Sequence, residues 1–577
     1  MKQIGSKRHS VVDSSSARSL SRLCSPSWAL LAALVAAAAP GTGCGAPAES
    51  PSTDTAGYDA SGRSADAGTA SDALPPEAST SETATCIPKQ GPDDPDDDFA
   101  DTNCDGIDGD KARAIFVAPS GNDDDAGTIQ APVKTLNRAV ALATVSKKDV
   151  YACIGTYAES VNLNPDAVHL YGGYDCTAGW TRTTQKTDVA APEGSALVIR
   201  GVAGDVVIDR FSFRSSDAVT PGDSSIAGFI VDSPQVKLSH VDFKAGAGAD
   251  GKPGAPATSN PAPPPKGVDG QSLAPILCSC AYATPGCPAN AMGGMSYASV
   301  CEVGGSGGTA TKAGSVGGHN VQGGAGALVG GAPGGAPGHD GNPGANAEDG
   351  ATEPGQPSLS GIGTFSKDGY AATNVGGKGS RGKPGQAGGG GGGGTMGWCG
   401  GDVCSYIFVG GGGGQGGHGG CGGEGGNGGG GGGASIALLV IDSGVTLSWS
   451  TLASSDGGRG GVPSNGGPGQ PGGEPGVGGQ GTNCGSAART EGNAGAGGHG
   501  GRGGVGGPGG AGGGGPSIGL LSSGSSPVLS NVSFQTGVGG KGASGLAGRG
   551  ADGESHDQLI LDAGDGGAPA ADARTDH

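Results

Sequence analysis

Aromatic side chains are scarce. Phe, Tyr and Trp make up 4% of the 577 residues and all apolar types 34%, against roughly 45–50% apolar in an ordinary globular chain. Any core must be narrow and built from a minority of the residues, so a compact enzyme cannot fill this chain. Cationic residues are few as well: 33 Lys and Arg against 53 Asp and Glu give a formal net charge of −20. That balance argues against phosphate-backbone binding, and nucleic acid is not expected as a partner. Beyond the N-terminal segment no stretch is long and apolar enough to span a bilayer, so membrane attachment is expected only there.

What the chain has in excess is glycine. With 130 Gly and 38 Pro, these two residues form about 29% of the chain, a level that signals low complexity unless a period organises it. Stretches such as "GAPGHDGNPGAN" from Gly335 and "GGKGSRGKPGQAG" from Gly376 run as Gly-X-Y. These runs are too short for a collagen triple helix. Two readings stay open for them: largely irregular chain, since glycine loses the most entropy on ordering, or polyglycine-II-like strands that pair backbone groups on a threefold period.

The N-terminus reads as a targeting segment, with Lys2, Lys7, Arg8, Arg18 and Arg22 scattered before "WALLAALVAAAAPGTGC". Its apolar length suits a signal peptide rather than a membrane span. The end of this stretch resembles a bacterial lipoprotein signal, which implies that Cys44 is lipidated and becomes the new N-terminus; Gly41 stands where that family usually has Leu. Export to the cell surface, the outer membrane or the medium is expected, with an N-terminal lipid anchor in the membrane.

Residues 45–85 lack an apolar period and read as a flexible Ser/Thr/Ala/Pro tether. An Asp-rich joint follows over 86–113. Within it "DTNCDGIDGD" spaces Asp101, Asn103 and Asp105 alternately before Gly106, like the first half of a calcium loop, with Asp108 and Asp110 as further oxygen donors. The bidentate Glu expected at the twelfth position is replaced by Ala112. The alternative is a solvated acidic linker in which Cys104 pairs with Cys86. No other cofactor is indicated.

From 114 the texture changes. A short strand and a polar turn precede Leu136, Ala139, Val140 and Ala143, spaced as one helical face, with Thr135 as N-cap. The following strands each carry one cysteine, and Cys153 with Cys176 would staple neighbours. "IFVAPSGNDDDAGTIQAPVKTLNRAVALA" resembles the opening of secreted bacterial right-handed parallel β-helix domains of the pectate-lyase-like kind. That resemblance covers about residues 115–245 and implies a short solenoid with an N-terminal capping helix.

Three islands then share one pattern: "SIAGFIVDSPQVKLSHVDFKAG" from Ser225, "SIALLVIDSGVTLSWSTLASS" from Ser435 and "SIGLLSSGSSPVLSNVSFQTG" from Ser517. Aligned with "DVVIDRFSFRSS", they place Ile208, Leu238, Leu447 and Leu529 in one column and Phe213, Phe243, Leu452 and Phe534 in another. Such columns are what stacked rungs require. The expected class is all-β. The β-helix occupies 114–245, with single rungs at 434–456 and 517–536, glycine-rich insertions at 246–433 and 457–516, and a glycine-rich acidic tail over 537–577. Each insertion should leave and rejoin the solenoid at one edge, since loop closure costs grow only logarithmically with length. The insertions are also similar, in composition alone, to the glycine-rich regions of PE-PGRS-type surface proteins, although the PE domain is absent.

Setting aside Cys24 and Cys44 leaves twelve cysteines in an oxidising compartment, which favours disulfides. Besides the two pairs above, the candidates are Cys278, Cys280, Cys287, Cys301, Cys399, Cys404, Cys421 and Cys484. Their spacing repeats no C-x-x-C pair and offers only His418 nearby, a poor fit to zinc. Nucleophile-elbow matches such as "GGSGG" and "GPSIG" lack the strand-turn-helix context that chemistry needs.

The function expected is therefore a non-enzymatic, structural or adhesive surface scaffold, with extracellular polysaccharide or other surface proteins as partners. Two alternatives stand beside it. One is a calcium-dependent matrix component. The other is a polysaccharide lyase or glycosidase acting at Asp209, Arg210, His240, Asp242 and Lys244, outward residues of two adjacent rungs; the competing reading of that patch is a solvated face of mixed charge.

Overall fold

In a computed structural model of the chain, the described residues are 86–561 except 166, 259–261, 273–292, 295–331, 337–338, 341, 343–344, 347–352, 395–396, 400–405, 409 and 482–491; for 397–399 and 406–408 only the backbone is described. The signal segment, Cys44, the tether, and Cys278, Cys280, Cys287, Cys301, Cys404 and Cys484 lie outside them. No helix among the described residues is long and apolar enough to cross a membrane.

The architecture is all-β, with mostly parallel sheets and one helix, in a solenoid-like arrangement. Each turn of chain contributes to three walls. The first wall stacks Ala114–Val117, Asp149–Cys153, Leu170–Asp175, Val206–Asp209, Val236–Ser239 and the first halves of Val445–Ala453 and Val528–Gln535. The second stacks Thr156–Tyr157, Thr187–Ala191, Phe211–Ser215, Asp242–Lys244 and the second halves of those same two long strands. The third is a separate sheet of Val161–Leu163, Leu197–Arg200, Ser225–Val231, Ser435–Ile441, Ser517–Ser523 and Ser555–Leu561.

Register follows the columns read from the sequence. Ile208 pairs with Leu238, Leu238 with Leu447, and Leu447 with Leu529; Phe213, Phe243, Leu452 and Phe534 pair in the same succession. Inside, Phe211, Phe213 and Phe243 stack with ring centroids 5.5 and 5.4 Å apart. The helix, Leu136–Ser146, buries Leu136, Ala139, Val140 and Ala143 against this core, and the Thr135 side chain accepts from the Arg138 amide as N-cap. Cys153–Cys176 joins two adjacent first-wall strands, and Cys86–Cys104 closes the acidic joint.

The glycine-rich excursions all depart after the second wall and rejoin at the third. Their backbone bonds recur every third residue. Gly376 donates to Gly429, Gly379 to Gly426, and so on to Gly394 and Gly411, antiparallel. The same returning segment donates in parallel from Gly411 to Gly492 through Gly432 to Gly513, while Gly461 through Gly479 donate back to Gly430 through Gly412. This is the pairing period of a threefold extended helix. Glycine is compulsory at the contacts: a Cβ on Gly417 would lie 2.0 Å from the Gly473 carbonyl oxygen. The remaining third position of this segment carries Gln415, His418, Cys421, Glu424 and Asn427. Cys421 is disulfide-bonded.

A third, shorter excursion runs within 537–554. Its return strand, Ser555–Leu561, pairs in parallel with Ser517–Ser523, so part of the segment read as a tail completes the third wall. A hairpin of Thr364–Ser366 and Gly369–Ala371 folds back from the first insertion. It lays Phe365 and Tyr370 on the outer face of the third wall, around Phe229, Leu439 and Leu521.

Candidate functional site

Between the first and second walls the chain turns through one residue per rung, and in four successive rungs that residue is left-handed: Arg210 (φ 58°), His240 (φ 52°), Trp449 (φ 50°) and Asn531 (φ 53°). A single αL residue redirects the strand into the next wall. Asn tolerates this conformation readily, whereas bulky residues rarely occupy it. The corner thus aligns four unlike side chains in a column. The imidazole of His240 lies parallel to the Trp449 indole, centroids 6.4 Å apart and planes 7° from one another. The guanidinium of Arg210 sits 4.7 Å from the ring centroid of Phe99.

Beside this column lies a saturated ion network. Arg182, whose side chain is fully buried, donates Nη1 to Asp108 at 3.1 Å and to the Asp96 carbonyl at 3.0 Å, and Nη2 to Asp209. Its Nε reaches the Gly172 carbonyl at 3.2 Å, and the guanidinium lies over Tyr171 and Tyr174. Arg210 adds bonds to Asp209 at 2.7 Å and Asp97 at 2.8 Å. His240 Nδ1 approaches Asp209 Oδ1 at 3.1 Å and Asp97 at 3.6 Å. Burial pushes the Asp108 carboxyl up to about 6, with the Arg182 charge pulling the other way.

The acidic joint supplies Asp97, Asp108 and the Asp96 carbonyl to this network because it docks on the outer face of the first wall. Ile107 packs with Phe116, Tyr151, Tyr174 and Trp180; the Tyr174 hydroxyl donates to the Asp108 carbonyl at 2.8 Å, and the Asp110 amide donates to the Tyr151 hydroxyl at 3.1 Å.

Of the patch expected from the sequence, Asp209, Arg210 and His240 come together. Asp242 and Lys244 lie past the corner on the second wall, where Asp242 pairs with Lys186 at 2.6 Å and Lys244 is exposed. The structure adds Asp97 and Arg182, which sequence reasoning missed, and Asp108, which that reasoning places in the calcium loop. Nothing in "WTRTTQKTD" marks Arg182 as buried.

In the proposed calcium loop, Asp101 accepts from the Asp105 and Gly106 amides, Asn103 from Asp105, Asp105 from Ile107 and Lys111, and Asp110 caps a short 3-10 turn through the Ala112 amide. Asp108 turns instead into the buried pair with Arg182. Among the described residues the metal-type grouping is a different one: Asp97, Asp209 and His240 offer one ligand atom each, all within 4.8 Å of one another. Two oxygens and an imidazole nitrogen are a reasonable donor set for a divalent cation. Arg182 and Arg210 already bond these carboxylates, so a cation there would compete with the guanidinium of Arg210 for Asp97.

Fold and corner together describe a solenoid-like stack of mostly parallel β-sheets with an ion-paired, partly aromatic edge. A family model described as "Protein of unknown function (DUF1565)" matches residues 119–248, the helix and the rungs before the first long insertion. No curated protein and no solved structure matches the chain.

Proposed function

We propose that the chain is an exported, lipid-anchored surface protein in which a right-handed β-helix serves as a structural or adhesive scaffold for polyglycine-II spokes. The observation that carries this reading is the order of the excursions. Outgoing segments pair in parallel with one another, as Gly251 with Arg459, Gly254 with Val462 and Gly457 with Val538, and returning segments do likewise, so the rung order of the solenoid continues into the glycine array. At about 3.1 Å per residue a segment such as Gly411 to Gly432 would reach roughly 65 Å. Long reach suits attachment better than turnover. The ion pairing of Asp209 supports it too, since a carboxylate bonded by two guanidinium groups is poorly placed to act as a general base.

The second reading, a carbohydrate-active β-helix, is favoured by the Asp97, Asp209 and His240 grouping. Incubating purified protein with neutral and anionic polysaccharides, with calcium or zinc, and following polymer size by exclusion chromatography separates the two. The scaffold reading expects every profile to stay intact, and removal of the glycine-rich excursions to abolish surface attachment. A polymer that shortens, and stops shortening in Asp209→Asn, overturns it.

A further inference from the structure

Trp449 is the largest exposed side chain of the solenoid among the described residues, 58% accessible, whereas Trp180, the other tryptophan whose side chain is described, is buried. Its position is also the least suited to it, because an indole at a left-handed corner carries strain that Asn or Gly would avoid. Both features run against folding alone. We propose that Trp449 is a carbohydrate-binding platform on the solenoid edge that takes a sugar residue of a neutral polysaccharide. The inference rests on the adhesive reading and assigns its contact point.

Three observations support it. On one side His240 lies parallel to the ring and is itself bonded through Nδ1 to the buried Asp209. On the next rung the column continues with the short Asn531, which leaves the indole open on that side. An indole backed on one side and open on the other suits stacking against the C–H face of a pyranose ring.

The surroundings select the polymer. Ser448 and Ser530 flank the corner on the first wall, and Thr451 and Ser533 on the second, where the Ser533 hydroxyl bonds Thr451 at 3.2 Å. With Asn531 these groups supply donors and acceptors and no charge. Of the carboxylates around the corner, Asp242, in register with Thr451, is paired with Lys186, and Asp209 and Asp97 are bonded by Arg182, Arg210 and His240. A chain of net charge −20 also repels anionic polymers.

The test is affinity gel electrophoresis of the purified full-length protein in gels containing dextran, xylan, galactomannan, polygalacturonate or alginate. At least one of the three neutral polymers should retard the wild type while the two anionic ones do not. Trp449→Ala should weaken retardation about tenfold, the scale of one aromatic contact. Trp449→Phe should keep most of it, and circular dichroism should show both variants folded. Retardation by no neutral polymer, or equal retardation of Trp449→Ala and wild type, overturns the proposal. Equal retardation would leave the adhesive reading standing with its contact elsewhere, whereas shortening of a polymer would remove that reading itself.

Discussion

Arg182 donates to Asp108 across 3.1 Å with both side chains shut off from solvent. The same guanidinium also holds Asp209, so it ties the acidic joint to the first wall and both to the corner. Arg182→Ala would leave the buried Asp108 without its cation and take one of two guanidinium partners from Asp209; breaking a buried pair typically costs about 3–5 kcal/mol. Urea unfolding should show that loss together with early proteolysis of residues 86–113; a loss below about 1 kcal/mol would mean that the network contributes little.

The same pair gives the protein a pH signature. The Asp108 carboxyl is pushed up to about 6 by burial, above the roughly 3.9 of an unfolded Asp. Between those values the folded chain holds a proton that the unfolded chain has released. The contribution of this group is therefore complete below about pH 4 and is lost as pH rises through about 6. The stability difference between wild type and Asp108→Asn should become less favourable to the wild type by on the order of 2 kcal/mol from pH 4 to pH 7. A difference that stays flat over that range would contradict it.

In the core, Phe243 stacks on Phe213 and faces Leu452, and a Cβ on Gly228 would lie 2.5 Å from its ring. The cavity left by Phe243→Ala cannot be refilled by rungs fixed above and below it. A loss of about 3–5 kcal/mol is expected in denaturant titration.

For the glycine array the prediction is positional. Gly417→Ala places a methyl 2.0 Å from the Gly473 oxygen, so hydrogen exchange of the amides from Gly411 to Gly432 should accelerate about tenfold or more. Val477→Ala, at a position 55% exposed, should leave exchange unchanged. Equal effects would mean that the segments are not held by these contacts.

The solenoid was legible because like residues stack on like. Leu238 over Ile208 and Phe243 over Phe213 are visible as repeats even across a long insertion, and the helix announced itself through Thr135 and a single apolar face. The strand Ser555–Leu561 was not, because its inward residues include Gln558, which pairs with Leu520 and breaks the apolar column. The order within the glycine segments was hidden for a different reason. The Gly-X-Y runs at Gly335 and Gly376 show the period of three, as does the spacing of Gln415, His418, Cys421, Glu424 and Asn427, but pairing through backbone groups alone left no side-chain pattern to say which segment meets which. At the site, the columns placed Asp209, Arg210 and His240 on adjacent rungs. The docking of Asp97 and Asp108 from a distant acidic stretch left no sequence pattern to read.

Pairing on every third residue makes the glycine array a ruler graduated in triplets. One Gly-X-Y unit added to an outgoing segment and one to its returning neighbour lengthens both and restores every bond beyond the insertion, while Ser435 still meets Ser517 at the root. A single added residue instead brings side chains to the contacts where only hydrogen fits. Length in this protein can therefore change by steps of three residues without disturbing the solenoid that carries it.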